Sequence, residues 1–500
     1  MHSGDLVSSN GSSRCFASIV AALLASPQHV MKSHALVLAA ALLTSVAYAA
    51  DDAPLRDSKP NIVFIIADDC TYSDIGCYGG QAKTPNIDKL ATQGMRFTRC
   101  FQAAAMCSPT RHNIYTGQYP VKTGAYPNHT HVAKGTPSVV QYLGDLGYRV
   151  AHSGKSHVAP RSVFSWETIP QGKNPDFGKV DAFIEECDQN ETPFCLLLCS
   201  NEPHTPWDKG DASAYPPGEV QLPEYHVDTP ETREAMSRYL AEITYFDSQV
   251  GEAMDLLDKH GMTDNTLLVV VSEQGNSMPF AKWTCYDNGL QSAMIVRWPG
   301  KIEPGAVNPA MVEYVDLLPT FVQAAGGVVA PVLDGKSLLP VFAGKQEHKQ
   351  FVFGEMTTRG INDGSDHFGI RSVRSERFKY IWNFSPDVEF QNMCTGSKLF
   401  QSWIAKAESG DKDAARLVHR YTHRPEIELY DVVEDPNEMH NLAENPEYAA
   451  VMAKLRAELE QWMEHCSDRG QATEMEALNH MGGRRKAKSA PQKRKPNGRG

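Results

Sequence analysis

A cysteine and an arginine four positions apart, in Cys107-Ser-Pro-Thr-Arg111, are the residues whose types and spacing point most directly to chemistry. Ser108 suits a helix cap and Pro109 the first turn, so the pattern predicts that a helix begins here. Cys107 would then lie at the positive end of the helix dipole and near Arg111, which both favour an anion or a nucleophile. A buried thiol in a turn is the alternative interpretation.

Four further groups of reactive side chains each follow a short apolar run. The runs span 61–67, 148–151, 193–199 and 266–271. The polar residues that follow them are Asp68 and Asp69, Lys155 and His157, His204, and Glu273 and Gln274. Short, continuous apolar runs are typical of strands in a parallel sheet that is covered on both faces.

Helical patterns lie between these runs, at 87–93, 137–147 and 232–260. Strands that alternate with helices predict an α/β fold, with a large doubly wound mixed sheet flanked by helices. Ligands bind beyond the carboxyl ends of the strands in such sheets, and this is where each run is followed by its polar group. We therefore expect the four groups to meet in one crevice. The alternative is that each group only caps its own strand.

The pattern changes after about Gly344, where 351–355 and 369–381 alternate in the way of antiparallel strands. A further short strand at 428–431 and a helix over 446–465 follow. We predict a catalytic domain over 59–344 and a smaller C-terminal α+β subdomain with a small antiparallel sheet over 345–470. Residues 471–500 are predicted to be a basic, disordered tail.

The charge distribution argues against a nucleic-acid partner. The formal net charge is −12 at pH 7, and residues 484–499 carry eight Lys or Arg and no acid, so that the rest of the chain carries −20. A body this acidic binds nucleic acid poorly, because phosphate contacts need cationic patches.

The N-terminal region has the plan of a secretory signal peptide. Met31 and Lys32 precede an apolar stretch at 35–43, and Ala47-Tyr-Ala49 is a small-x-small cleavage site. The apolar stretch is too short to span a bilayer, and no later segment qualifies. We expect residues 1–30 to be an upstream extension and 31–49 a signal peptide, so that the protein is exported to the periplasm or the exterior. An N-terminal membrane anchor is the alternative.

Cys107-Ser-Pro-Thr-Arg111, followed by Thr116-Gly117, is similar to the signature of type I sulfatases in the alkaline-phosphatase superfamily. The resemblance covers about residues 59–460. Other motifs resemble the family in the same order along the chain. They are Asp68-Asp69, Gly154-Lys155-Ser-His157, Pro203-His204, and the C-terminal signature over 429–442.

The resemblance implies two cofactors. In that family the cysteine is oxidised after translation to formylglycine (3-oxoalanine), so a formylglycine-generating or sulfatase-maturating enzyme would act on Cys107. The second cofactor is one divalent cation, since an anionic sulfate ester repels nucleophiles unless cations surround it. Oxygen ligands favour Ca²⁺ or Mg²⁺ over zinc, and the resemblance favours Ca²⁺. The expected ligands are Asp68, Asp69, residue 107, Glu273 and Gln274.

The resemblance also implies a role for each remaining site residue. Arg111 would hold the hydrated aldehyde, and His157 would orient it or take its proton. Lys155 and Lys282 would bind the sulfate group as point charges. The diol would attack sulfur to give a covalent sulfo-enzyme, and His204 would protonate the leaving atom.

The sequence departs from the commonest family pattern at Glu273-Gln274, where most members have Asp followed by Asn or His. Each side chain is one methylene longer, which leaves the identity of the metal open. The alternative is that Glu273 and Gln274 only cap their strand.

The residues around 154–164 and 275–282 resemble N-sulfoglucosamine sulfohydrolases (heparan N-sulfatases) more than arylsulfatases. The expected activity is therefore hydrolysis of sulfate esters or N-sulfates on a sulfated carbohydrate. One alternative is a phosphodiesterase or phosphonate hydrolase of the same superfamily. Another is a non-catalytic relic that binds sulfated glycans through an unmodified Cys107.

Some nearby residues receive no catalytic role. The histidines expected in loop or core positions are His112, His129, His131 and His152. Trp207 and Asp208 could either contact the substrate or pack on the surface. Arg371 and Arg374 could either reach the substrate or pair with nearby acids.

Overall fold

The computed structural model describes residues 59–170 and 172–481, and these residues belong to one compact unit. The predicted signal peptide and residues 482–500 of the predicted tail lie outside the described residues. Within the described part of the chain, no helix is long and apolar enough to cross a membrane.

A nine-stranded mixed sheet forms the centre of the fold. Its strands are β1 (Asn61–Ile66), β2 (Met95–Phe101), β3 (Arg149–Gly154), β4 (Glu167–Thr168), β5 (Phe194–Cys199), β6 (Thr266–Val271), β7 (Gln291–Ser292), β8 (Met294–Arg297) and β9 (Ala306–Glu313). The spatial order is β4-β3-β5-β1-β6-β8-β2-β7, and β9 pairs with β2. Strands β3, β5, β1 and β6 are parallel, whereas β8 is antiparallel to both β6 and β2.

Helices cover both faces of this sheet and surround the smaller one. They are α1 (Pro85–Gln93), α2 (Cys107–Thr116), α3 (Pro120–Thr123), α4 (Val139–Gly144), α5 (Phe177–Gln189), α6 (Pro230–Lys259), α7 (Asp287–Leu290), α8 (Leu317–Ala324), α9 (Leu339–Phe342), α10 (Lys398–Glu408), α11 (Lys412–Thr422), α12 (Ala449–His465) and α13 (Gln471–Glu476). Short 3₁₀ turns occur at Tyr72–Asp74, Gly76–Tyr78, Ala212–Ala214, Thr263–Asn265, Tyr314–Asp316, Pro446–Tyr448 and Ala477–His480.

Strand β1 shows why the apolar runs become central strands. Successive side chains point to opposite faces, so that Phe64 and Ile66 join one hydrophobic cluster while Val63 and Ile65 join the other. All six residues of β1 are buried. Burying each large aliphatic side chain contributes about 1.5–3 kcal/mol, which only a strand covered on both faces can gain at every position.

The smaller sheet is antiparallel and has the order β10-β11-β12-β13. Its strands are β10 (Val352–Thr357), β11 (Gly369–Arg374), β12 (Phe378–Asn383) and β13 (Ile427–Asp431). The predicted fold class, a large mixed sheet with a smaller α+β part, is confirmed. The predicted boundary at 344 falls between β9 and β10, but the division into two domains stays a prediction.

Regular structure continues past the predicted start of the tail. Residues 471–476 form α13, whose Glu474 is buried and accepts a hydrogen bond from Thr357 Oγ1. The prediction of disorder was therefore wrong for residues 471–480, which form α13 and a 3₁₀ turn. Its compositional signal, the run of basic residues, begins only at Arg484.

Glu355 in β10 gives the fold a dependence on pH. The side chain is 1% exposed, and burial raises its pKa from 4.5 to about 8, although Arg371 opposes the rise. A carboxyl group whose pKa is raised in the folded state stabilises the fold below its unfolded pKa. That contribution is lost as the pH rises from about 4.5 through about 8.

We expect Glu355→Gln to flatten this pH dependence. Glutamine keeps the shape of the protonated acid without its titration, so the free energy of unfolding should fall by less between pH 5 and pH 9 than in the wild type. Each unit of pKa shift corresponds to about 1.4 kcal/mol, so the difference can reach several kcal/mol. Urea unfolding at the two pH values measures the free energy of unfolding of each protein. An equal change between pH 5 and pH 9 in both proteins would contradict the raised pKa of Glu355.

Candidate active site

The predicted polar groups converge at the carboxyl ends of β1, β3, β5 and β6. The backbone N–H of Asp68 donates to Glu202 O (3.0 Å), that of Cys70 to Glu273 O (3.0 Å), and that of Lys155 to Cys199 O (2.8 Å). These bonds extend the sheet ladder by a few residues beyond the strands. The side chains after each strand are therefore fixed by the sheet itself.

Helix α2 begins at Cys107, and Met106 is the capping position, with extended backbone. The predicted cap at Ser108 was wrong, because tertiary contacts fix the start of the helix. Thr110 closes the first turn with N–H to Met106 O (3.1 Å), and its Oγ1 donates to Ala104 O (2.6 Å). All ten residues of α2 are buried, which places Cys107 inside the protein at 3% exposure.

The Cys107 thiol is protonated at neutral pH. Burial raises its pKa to about 11, and the ammonium groups of Lys155 and Lys282 only partly oppose this. The sequence pattern led us to expect an environment that favours the thiolate, but desolvation outweighs the nearby cations. Unmodified Cys107 is consequently a weak nucleophile in this site.

Arg111 and Glu273 form a buried, bidentate ion pair. Arg111 Nε donates to Glu273 Oε1 (3.0 Å) and Nη2 to Oε2 (2.8 Å), and both side chains are 0% exposed. Arg111 Nη1 also donates to Lys155 O (2.6 Å). One guanidinium thus ties α2 to the ends of β6 and β3.

Asp68 and Asp69 each hold a lysine. Asp68 accepts from Lys155 Nζ, while Asp69 Oδ2 accepts from Lys282 Nζ (2.7 Å) and Asp69 Oδ1 from Gln274 Nε2 (2.6 Å). Burial alone would raise the pKa of Asp68, but Lys155 and the neighbouring cations outweigh it and hold that pKa well below its usual range.

Two loops complete the site around these carboxylates. His204, on the loop after β5, has Nε2 at 3.7 Å from Asp69 Oδ2. Lys282 lies on the loop after β6, where Trp283 N–H donates to Ala105 O (3.0 Å). This bond holds the Lys282 loop against the residues just before Cys107.

The donor atoms of this cluster suit a hard divalent cation. Asp68 Oδ1 and Gln274 Oε1 are buried and have no hydrogen-bond partner among the described residues. Carboxylate and amide oxygens are the ligands that Ca²⁺ and Mg²⁺ prefer. Within the described residues, no three His, Cys, Asp or Glu side chains are already grouped as a metal site, and lysine ammonium groups lie against both aspartates.

His157 lies beside a residue to which the sequence gave no catalytic role. Its Nε2 is 2.8 Å from Nδ1 of His129, and both residues have left-handed backbone, with φ of 53° and 58°. Burial, together with Lys155 and His129, lowers the pKa of His157 well below its ordinary value, so the ring is neutral. His129 was missed because no local pattern links two loops that are 28 residues apart.

The remaining candidates are explained by local packing. Arg371 Nε donates to Asp468 Oδ2 (2.6 Å) and Arg374 Nε to Asp287 Oδ2 (2.9 Å), so each pairs with a nearby buried acid. Trp207 Nε1 donates to Pro203 O (2.9 Å). Two of the histidines occupy the core, and burial lowers the pKa of His112 to about 4 and that of His152 to about 3.

We expect Arg111→Met to destabilise the fold by about 3–5 kcal/mol, because it leaves the Glu273 carboxylate buried without its partner. The double variant Arg111→Met/Glu273→Leu should recover more than half of that loss, since it removes both charges. Urea unfolding of the wild type, both single variants and the double variant completes the cycle. A double variant no more stable than Arg111→Met would show that the pair is not coupled.

Comparisons with known proteins agree with this geometry. Residues 60–328 match the family model Sulfatase. Residues 275–396 and 404–465 match the model described as N-sulphoglucosamine sulphohydrolase, C-terminal. An ulvan-active sulfatase of Formosa agariphila is 36% identical over 425 residues, which cover 82% of this chain and 81% of that protein. The N-sulphoglucosamine sulphohydrolase of Homo sapiens is 25% identical over 461 residues, which cover 81% of this chain and 90% of that protein.

Solved structures share the fold at lower identity. BT4656, in complex with its substrate D-glucosamine-2-N,6-O-disulfate, has a TM-score of 0.64 and 21% identity, covering 82% of this chain and 99% of its own. The phosphonate monoester hydrolase of Agrobacterium radiobacter has a TM-score of 0.65 and 18% identity, covering 82% and 96%. The resemblance seen in the Cys107–Arg111 motif is thus confirmed: the chain belongs to the sulfatase family and is a sulfuric ester hydrolase.

Proposed function

We propose that the protein removes sulfate groups from sulfated glycans, with formylglycine at position 107 and one bound Ca²⁺. A single observation carries this proposal: a buried Cys107 lies at the start of α2, within electrostatic reach of Lys155 and Lys282 and of a group of buried carboxylates. Hydrolysis of a sulfate ester needs fixed positive charge around the sulfuryl oxygens in a site that excludes water.

The state of the Cys107 thiol argues against the unmodified cysteine as the nucleophile. A thiol with a pKa of about 11 is almost wholly protonated at neutral pH and makes a poor nucleophile. The hydrated aldehyde of formylglycine would instead supply a hydroxyl group for attack on sulfur. Arg111 is fixed by Glu273 one helical turn from residue 107. Its charge would orient an oxygen substituent on that residue.

Four side chains and residue 107 would hold the cation. The side chains are Asp68, Asp69, Glu273 and Gln274. Both oxygens of Glu273 already accept from Arg111, but each carboxylate oxygen keeps a second lone pair for a metal. The bound cation would add positive charge beside the sulfuryl oxygens.

The protein's own side chains account for binding and proton transfer. Lys155 and Lys282 are held next to the site by Asp68 and Asp69, so that each presents its remaining N–H donors to an incoming anion. His157 is neutral and can take a proton from residue 107. His204, which lies 3.7 Å from Asp69, would protonate the leaving oxygen or nitrogen.

The relatives support a sulfated carbohydrate as the substrate. Those reported above are an ulvan-active sulfatase, an N-sulphoglucosamine sulphohydrolase, and a protein crystallised with a disulfated glucosamine. The match to the family model described as N-sulphoglucosamine sulphohydrolase, C-terminal, supports N-sulfoglucosamine as the sulfated unit. Ulvan is the other candidate substrate, because the ulvan-active sulfatase has the higher sequence identity to this chain. Export remains part of this proposal, and N-terminal sequencing of the mature protein tests whether it starts near Ala50.

We expect Cys107→Ala to abolish sulfate release while leaving the fold intact. The measurement is sulfate released from N-sulfoglucosamine and from ulvan oligosaccharides, with circular dichroism as the check on folding. The control is Cys77→Ala, which removes a partly exposed thiol that lies outside the site. Mass spectrometry of the wild-type peptide across 107 should find an aldehyde in place of the thiol. Full activity in Cys107→Ala would refute the assignment of the nucleophile.

Removing the cation should lower both stability and activity. Stripping with EDTA should reduce the melting temperature, and Ca²⁺ should restore it, because a ligand that binds only the native state stabilises that state. Gln274→Leu, which removes the amide oxygen, should shift the Ca²⁺ concentration at half-maximal stabilisation by about tenfold or more. The control is Gln401→Leu, an exposed position on α10. Identical Ca²⁺ titrations for both variants would exclude Gln274 from the ligand set.

A further inference from the structure

A cavity of about 360 Å³, with several polar side chains in its wall, adjoins the loop that carries His204. Glu202 and Pro206 form part of its wall, and each is two residues from His204 in the chain. Two residues span at most about 7 Å of chain, so one side of the cavity is this loop. The loop that carries His204 therefore forms part of the cavity wall, although His204 itself does not line it.

The floor of the cavity is fixed by Asn174. Its Oδ1 accepts from the backbone N–H of Asn201 (2.8 Å) and from Ser200 Oγ (3.2 Å), and its Nδ2 donates to Glu202 Oε1 (2.8 Å). Glu202 Oε2 receives only a long contact from Asn201 Nδ2 (3.5 Å), so it can still accept from a hydroxyl group. The cavity thus offers a preorganised acceptor.

A second carboxyl group behind this floor adds no charge at neutral pH. Burial, reinforced by the nearby Glu202, raises the pKa of Glu242 to about 8. Glu242 accepts a hydrogen bond from the backbone N–H of Lys209 (2.9 Å), which fixes one rim of the cavity. The floor therefore does not repel an anion as strongly as two carboxylates would.

The rim carries an exposed cation, Lys173, with no hydrogen bond or close ion pair to another described residue. Asp208 and Lys209 pair with each other (2.8 Å) and are largely exposed. Lys209, and also Lys173, lower the pKa of Asp208 by their positive charge. These two lysines and one aspartate leave one net positive charge at the rim for an anionic substituent.

We propose that this cavity binds the sugar unit next to the one that loses its sulfate, and that Lys173 pairs with a carboxylate or sulfate on that unit. The inference rests on the proposed function. The volume of the cavity lies within the range of small-ligand sites. Its amide, carboxylate and ammonium groups match hydroxyl groups and one negative charge better than an apolar ligand.

The test compares substrates of different length. The probes are 4-nitrophenyl sulfate, N-sulfoglucosamine, and sulfated tetrasaccharides from heparan sulfate and from ulvan. In the wild type we expect kcat/KM to be higher for one of the tetrasaccharides than for both small probes. In Lys173→Met that ratio should fall by up to about fivefold through KM, which is the upper end of the effect of losing one solvent-accessible ion pair. Lys173→Arg should restore most of it. The matched control is Lys412→Met, an exposed lysine at the start of α11.

A binding measurement separates this proposal from the proposed function. Calorimetric titration of the Cys107→Ala protein with each tetrasaccharide needs no turnover, and adding Lys173→Met should weaken the tighter of the two interactions by up to about fivefold. Unchanged binding and an unchanged substrate ratio in Lys173→Met would overturn the subsite. Sulfate release from none of the probes, with Lys173-dependent binding retained, would instead reject the proposed function alone. A preference for the ulvan or the heparan sulfate probe identifies which glycan the cavity accepts.

Discussion

The ion pair between Arg111 and Glu273 is the interaction on which the site depends. Both side chains are fully buried, so each charge would be very costly without the other. Their two parallel hydrogen bonds fix the helix that carries Cys107 against the end of β6, and a third bond from Arg111 reaches the backbone of Lys155. One guanidinium group thereby fixes the positions of Cys107, Glu273 and the Lys155 backbone relative to one another.

Much of the fold could be predicted because central parallel strands have a strong signal. The run at 266–271 is β6 without a change of boundary, and 61–67 and 193–199 differ from β1 and β5 by one residue at an end. The strands β2 and β9 were missed, since alternating polar residues in β2 and a proline in β9 obscure them. Both lie toward the edge of the sheet, where burial is incomplete and the apolar pattern weakens.

The site was predictable to the extent that its residues follow strands. Asp68, Lys155, His204 and Glu273 were expected together because the carboxyl ends of parallel strands share one edge. The hydrogen-bond partner of each side chain could not be predicted, because Arg111 could have faced any of several carboxylates. The protonation state of Cys107 also went against expectation, since desolvation depends on packing that no local pattern records.

The hydrogen bonds that continue β1, β3 and β5 into the site also decide how the protein loses activity. Strand β1 lies between β5 and β6, so the backbone next to Asp68 and Glu273 continues a ladder that is buried at the centre of the sheet. Such a segment opens only when the whole cooperative unit opens. Heat or denaturant should therefore not produce a folded but locally frayed active centre, and amide protons around 62–66 and 267–271 should exchange only through global unfolding.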